Sequence, residues 1–247
     1  MKILVCISQV PDTVTKIVLK DNNTAIEENG ITFIINPYDE WYALVRALEL
    51  KESGIAESVH IINIGRANSE PIIRKALALG GDEAIRIDAD STDSYVIANY
   101  IAEYAKGKGY DLILCGKESI DYLNGAVGPM IAALTDTDYI GFATNINIDG
   151  NAAVVKREID GGEETVSCNF PLVVSCQKGV AEARIANMRG IMTARTKPLK
   201  VIAPAEIPAL TSVLYYELPP AKTGVKLIDP DHMDELVNLL HTEAKVI

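Results

Sequence analysis

The chain has 247 residues, 48% of them hydrophobic, which is enough to fill one substantial core or one core with an appendage. Its net charge of −11 argues against nucleic acid as a partner, because phosphate binding draws its affinity from clustered Lys and Arg. Apolar runs such as Lys2 to Ile7 and Asp111 to Cys115 fall far short of the roughly 20 residues of a spanning helix, so the chain is not expected to be embedded in a membrane.

In chain order, apolar runs alternate with helical patterns, the arrangement of a parallel sheet with helices on both faces. Ile3 to Ile7 reads as a buried strand. Trp41, Leu44, Val45 and Leu48 recur on one helix face, with Gly54 as a stop. Val59 to Ile64 is the next strand. Ser69 is expected to cap a helix with Pro71 in its first turn, running to Gly80-Gly81. Ala84 to Ile87 returns to the sheet, and a helix from about Asp93 carries Val96, Ile97, Tyr100, Ile101 and Tyr104.

The strand Leu112 to Cys115 follows. Ligands of open parallel sheets bind outside the carboxyl ends of strands. Here Gly116-Lys117-Glu118-Ser119-Ile120-Asp121 leaves a strand, and Asn124-Gly125-Ala126-Val127-Gly128 opens a helix whose free amides suit a phosphate. Asn36-Pro37-Tyr38-Asp39 and Gly65-Arg66-Ala67-Asn68 occupy equivalent loops. Each either approaches the same ligand or is a plain turn, with Asp39 capping a helix.

From Ala143 the pattern becomes β-hairpins: Asn145 to Ile148, Val154 to Glu158 and Glu164 to Cys168, with turns at Asp149-Gly150 and Asp160-Gly161-Gly162. This reads as an antiparallel excursion, after which Leu172 to Cys176 rejoins the main sheet. Between Arg184 and Lys200 the chain carries five cations and no acid. After Pro204 comes a Pro-rich arm, with a helix from Asp229-Pro230 whose Met233, Leu236, Val237 and Leu240 line one face. That helix either packs back on the domain or docks on a partner. The expected division is a nucleotide-binding α/β domain over 1–204 and an arm over 205–247.

Catalytic constellations are absent. His60, His232 and His241 lack ligand spacing, so neither a metal site nor a Ser-His-Asp triad is expected. Trp41 reads as core, and no Gly-x-Gly-x-x-Gly follows a strand. Cys6, Cys115, Cys168 and Cys176 lie far apart, with no Cys-x-x-Cys pair and no secretory leader. They read as reduced core thiols in a cytoplasmic protein.

Several segments together resemble the β subunit of electron transfer flavoproteins. They are Ile3-Leu4-Val5-Cys6 with Gln9-Val10-Pro11-Asp12, Asn36 to Glu40, Ile73 to Asp82, Gly116 to Asp121, Arg157-Glu158-Ile159-Asp160-Gly161-Gly162, and Thr223-Gly224-Val225-Lys226. The Arg157 to Gly162 turn with the downstream Ile191-Met192 is the most specific. The resemblance spans nearly the whole chain and implies a Rossmann-like fold of the adenine nucleotide alpha hydrolase type.

It further implies an obligate heterodimer with an α subunit that holds most of a redox FAD. Electrons would pass from acyl-CoA dehydrogenases of fatty acid oxidation to a membrane quinone oxidoreductase, with no bond chemistry by this chain. The family also binds AMP. The matching positions are Cys6, Ile64, Asn36, Pro37, Tyr38 and Asp39, and within Gly116 to Val127 the residues Gly116, Asp121, Asn124, Gly125, Ala126 and Val127. Glu158 matches the acid that reaches toward the mobile flavin domain. The loop 176–197 matches the dehydrogenase-recognition loop, with Met188 as the apolar anchor and Arg189, Ile191 and Met192 beside it. The arm would dock on the α subunit.

The chain departs from the family at Tyr122, Leu123, Ala126 and Val127, where relatives usually carry acids, Thr or Gln, so backbone amides must do more of the nucleotide binding. Met188-Arg189-Gly190 stands where relatives have Leu-Pro-Asn, which keeps an apolar plug and changes loop stiffness. Val127-Gly128-Pro129 resembles an electron-bifurcating class in which a second FAD replaces AMP and accepts hydride from NADH. Outside the family, the alternative is a homodimeric nucleotide-binding signalling module.

Overall fold

Each buried strand read from the first half of the sequence forms, and each leads to a helix that covers the sheet. β1 (Lys2–Cys6) leads to α1 (Asp39–Glu52), β2 (Ser58–Ile64) to α2 (Glu70–Leu79), β3 (Glu83–Ile87) to α3 (Ser94–Ala105) and β4 (Leu112–Gly116) to α4 (Val127–Thr135). Next come β5 (Asp138–Asp149), β6 (Ala152–Ile159), β7 (Gly162–Asn169), β8 (Leu172–Cys176), α5 (Met188–Ala194), β9 (Leu199–Ile202) and α6 (Met233–Leu239). The structure, a computed structural model, describes residues 1–221 and 224–247. Thr223 of the arm motif lies outside the described residues.

These strands form one sheet in the order β7-β6-β5-β8-β4-β1-β2-β3-β9. Every neighbour pair from β5 to β9 along that order is parallel, while β6 runs antiparallel to both β5 and β7. Central parallel strands are buried on both faces, which is why they read as unbroken apolar runs. On one face Leu44, Leu48, Ile73 and Leu77 of α1 and α2 pack with Ile3, Val5, Val59 and Ile61. On the other, Ile101 of α3 and Ile131 of α4 pack with Leu4, Ile85, Ile113 and Val173.

Several expectations need correction. The hairpins form as read and extend the main sheet, because β5 pairs parallel with β8 through its first half and antiparallel with β6 through its second. Its first half, Asp138 to Ala143, is interrupted by Gly141, which weakens the strand pattern in the sequence. β9 also escaped reading. It is a short edge strand with Lys200 and Val201 exposed, so it lacks the apolar run of a central strand.

Ser69 does not cap α2. A 3-10 turn at Ala67–Ser69 precedes the helix, and the Ser69 hydroxyl donates to the Arg66 carbonyl at 2.8 Å. Asp39 lies inside the first turn of α1, and Tyr38 occupies the N-cap at φ 42°. Trp41 is half-buried against the core. Cys6, Cys115 and Cys176 are buried, whereas Cys168 is only partly buried on an edge hairpin; all four are free thiols. Asp229 caps a 3-10 turn, accepting from the Asp231 amide at 3.0 Å, before α6 begins. Two short ribbons, Gln9–Pro11 with Phe33–Ile35 and Leu19–Lys20 with Ala25–Ile26, were not foreseen.

The arm leaves the sheet after β9. Ile207 packs on the α3 core, and beyond it large apolar side chains such as Leu214, Tyr215, Leu218 and Leu227 stand exposed. No residue of α6 is buried. Among the described residues, no helix is long and apolar enough to cross a membrane.

Candidate functional site

The order of strands reverses between β1 and β4, since β1 continues through β2 to β3 on one side while β4 lies on the other. Crossovers diverge at such a point and leave a crevice beyond the strand ends. An open cleft of about 750 Å³, counting solvent at its mouth, sits there, within the usual size range of small-ligand sites. Ile7 and Ser8 after β1, Ile62 and Ile64 of β2, and Cys115 and Gly116 of β4 form its floor. Thr92 ahead of α3, with Ser94, Ile97 and Ile101 along that helix, forms one wall, and the loop after β4 forms the other.

That loop is shaped by a residue that does not line the cleft. Asn36, 1% exposed, donates its amide to the Glu118 carbonyl at 2.8 Å and accepts from the Ile120 amide at 3.1 Å. The Lys117 amide adds a bond to the Cys176 carbonyl at 2.8 Å. Asp121 accepts from the Tyr122 amide and the Ser119 hydroxyl. Leu123 and Gly125 adopt φ 53° and 59°, turning the chain so that Gly125, Ala126 and Val127 open α4 at the cleft. Gly116 lets α1 approach the strand end, because a Cβ there would lie 2.8 Å from Glu40 Cγ and 3.1 Å from Asp39 Cβ.

The expected ligand residues therefore divide. Ile64, Gly116, Asn124, Gly125, Ala126 and Val127 line the cleft. Asn36 and Asp39 stand behind it, the latter accepting from the Glu118 amide at 3.4 Å, and Asp121 braces the loop. Cys6 is sunk in the core below. Pro37 is half-buried and Tyr38 exposed in the turn before α1, and neither reaches the lining. The Gly65 to Asn68 loop forms a turn outside the lining, where Arg66 pairs with Asp90 at 2.6 Å.

Ser8, Glu40, Thr92 and Ser94 line the cleft without having been singled out. Glu40 accepts from the Ser8 amide at 2.5 Å and from its hydroxyl at 2.8 and 2.9 Å. Burial pushes its carboxyl up to about 8, with the Ser8 bonds opposing and the Asp121 and Asp39 charges adding. The available signal was an acid beside a helix start, indistinguishable in sequence from a favourable first-turn charge. Lys117 is the cation of the lining, and it pairs with Glu118 at 3.2 Å. Neutral hydroxyls, one lysine and the open amides of α4 suit a phosphate ester, while the isoleucines suit a flat ring. Among the described residues, no cluster of His, Cys, Asp and Glu could hold a metal.

Glu158 lies elsewhere. It is exposed on β6, opposite Glu163, with β5 and β8 between it and β4. Its neighbour Arg157 pairs with Glu164 at 2.7 Å.

The loop 176–197 ends in α5, which packs on α2. Gly190 permits this, since a Cβ there would clash with the Ala78 carbonyl oxygen. Asn187 caps α5 by accepting from the Gly190 amide at 2.8 Å. Arg74 donates to the carbonyls of Ala194 and Lys197, both at 2.8 Å, and Lys197 donates to those of Leu77 and Gly81 at 2.9 and 2.6 Å, satisfying helix-end acceptors. Arg184 grips Glu52 through two bonds of 2.9 and 2.8 Å. The basic run is thus partly a clamp. Met188 is 72% exposed, Met192 68% and Ile191 44%, with Arg189 exposed among them.

A family model described as electron transfer flavoprotein domain matches residues 23–207. The chain is 36% identical over 231 residues to the electron transfer flavoprotein subunit beta of Syntrophomonas wolfei, covering 93% of this chain and 90% of that protein. Identity to the protein of the same description from Bacillus subtilis is 35% over 262 residues, covering 100% of each. The Homo sapiens protein of that description is 32% identical over 237 residues, 92% of each.

Proposed function

This chain belongs to the electron transfer flavoprotein β-subunit family, and from that membership we propose that it is the nucleotide-holding and partner-docking half of a cytoplasmic heterodimer. Membership makes it a subunit of an electron carrier, and a β subunit implies an α partner. The α subunit holds most of an FAD, which when bound supplies reversible uptake and release of electrons. This chain contributes surfaces: the exposed Glu158 hairpin suits contact with a mobile flavin-bearing domain, and the arm 205–247 with its uncovered apolar side chains suits docking on the α subunit.

The cleft at the reversal of strand order carries the reading. It fits AMP: Lys117, Ser119, Asn124 and the amides of Gly125 to Val127 would hold the phosphate, and Ile64, Ile97 and Ile101 would flank the base. Exposed Met188, Ile191 and Met192 on a clamped helix suit an apolar anchor for acyl-CoA dehydrogenases, which deliver electrons that pass onward to a membrane quinone oxidoreductase. Holding a partner by one anchor keeps the flavin at high local concentration without a rigid complex.

A second reading rests on Val127-Gly128-Pro129. Gly128 abuts β4 and β5, where a Cβ would lie 2.8 Å from Cys115 Sγ and 3.1 Å from the Tyr139 ring. That seats the start of α4 close against the sheet at the end of the cleft lined by Val127, and on this reading a second FAD takes the place of AMP. The test is to purify the chain with its α subunit, denature the complex and quantify the released nucleotides. One FAD and one AMP per heterodimer supports the simple carrier; two FAD and no AMP replaces it with the bifurcating type.

A further inference from the structure

The root of the arm is tied to the residues that frame the cleft. Asp93, 3% exposed, caps α3 through one carboxylate oxygen, which accepts from the Tyr95 amide at 2.8 Å. Its other oxygen accepts from the arm amides of Leu210 and Thr211 at 2.6 and 2.7 Å. Thr92 and Ser94, on either side of it, line the cleft. Across the mouth, the hydroxyl of cleft-lining Tyr122 meets that of Tyr216 at 3.1 Å, and the Tyr216 amide donates to the Asn23 carbonyl at 2.7 Å. Asn124 bridges both sides, donating to the Ser94 hydroxyl at 3.2 Å.

Within this chain little else holds this stretch beyond the Tyr100 hydroxyl, which donates to the Ala205 carbonyl at 3.2 Å. After Ile207, which packs on the core, Leu210, Leu214 and Tyr215 are 69%, 77% and 66% exposed. Its seating therefore depends on a few hydrogen bonds, the signature of a segment that opens at low cost. Burial opposes ionisation of Asp93, yet the amides of Thr211, Tyr95 and Leu210 outweigh it and keep the carboxyl below its ordinary range. The carboxylate is thus a committed acceptor for the arm.

We infer that residues 205–216 form a strap over the nucleotide cleft, with Asp93 and Tyr216 as positioning residues that link the strap's seating to a nucleotide bound beneath it. This rests on the nucleotide reading of the cleft. A ligand that fixes Thr92, Ser94, Tyr122 and Asn124 fixes the anchors of the strap, and by reciprocity a seated strap slows the ligand's escape.

The test uses the heterodimer stripped of nucleotide and titrated with AMP, with hydrogen exchange read across residues 205–216. AMP is expected to slow exchange of the Leu210 and Thr211 amides by about fivefold or more, the lower range of coupling between sites. Asp93→Asn keeps a capping acceptor for α3 but cannot accept both arm amides. It is expected to abolish the AMP-dependent slowing and raise the AMP Kd by a similar factor. Tyr216→Phe, outside cleft and cap, should shift both in the same direction by less, and it decides the matter if Asp93→Asn fails to fold. AMP binding without any change in strap exchange, or both variants behaving as wild type, overturns the strap. Absence of AMP binding to the wild type overturns the AMP reading of the cleft and the strap argued from it.

Discussion

Glu40 is the residue whose chemistry departs furthest from its solution behaviour. Buried beside Ser8, its carboxyl titrates at about 8 against an ordinary 4.5, so across that interval the folded protein holds a proton that the unfolded chain has released. The contribution of Glu40 to stability then falls as pH rises through the window, by up to ~1.4 kcal/mol per pH unit. Glu40→Gln should flatten this slope in urea unfolding measured across the window; an unchanged slope would show that another group is responsible. Asn36 supports the opposite wall. Asn36→Ala leaves the Glu118 carbonyl and Ile120 amide without their partner and should cost about 1–3 kcal/mol of stability. It should also weaken AMP binding, measured by calorimetry on the heterodimer. The Asn36-Pro37-Tyr38-Asp39 segment was legible as important, but its work is to hold the loop from behind. Sequence spacing could not separate a ligand from a brace, because both need a polar side chain near the same loop.

At the scale of elements, α5 shows how an exposed apolar surface is separated from the core that supports it. Met188 is 72% exposed and outside the core clusters, so Met188→Ala should change stability by no more than about 0.5 kcal/mol. The same variant should slow reduction of the complex by a reduced acyl-CoA dehydrogenase, measured by stopped flow; an unaltered rate would remove Met188 from the interface. Gly190→Ala reverses the pattern. The added methyl would meet the Ala78 carbonyl, which is backbone and cannot swing aside, so the helix must shift at a cost of about 1–3 kcal/mol, visible as a lower urea midpoint. Gly190 replaces a residue that the resemblance led one to read as a change in loop stiffness. Its reason is a close approach between two helices, and nothing within the local stretch reveals the neighbour.

For the whole molecule, the sheet sets three surfaces apart: the cleft where strand order reverses, the Glu158 hairpin beyond β5, and α5 beside α2. The arm leaves the molecule at the cleft's rim, where Asp93 holds Leu210 and Thr211. A chain ending at Ile202 keeps the nine-stranded sheet and should retain its far-ultraviolet dichroism, yet fail to co-purify with the α subunit. Co-purification of the shortened chain would show that the arm is dispensable for pairing.

Residue order alone determined the alternation of strand and helix, the family and the loop before α4, since periodicity, turn chemistry and motif spacing are written in neighbouring residues. Tertiary structure alone decided which strands lie side by side. It brought Ser8, Glu40, Thr92 and Ser94 to one cleft with Asn124, joined β9 to β3, and laid residues 210 and 211 across Asp93. These contacts link segments far apart in the chain through pairing and burial, and no local pattern of side chains records the distant partner that satisfies it.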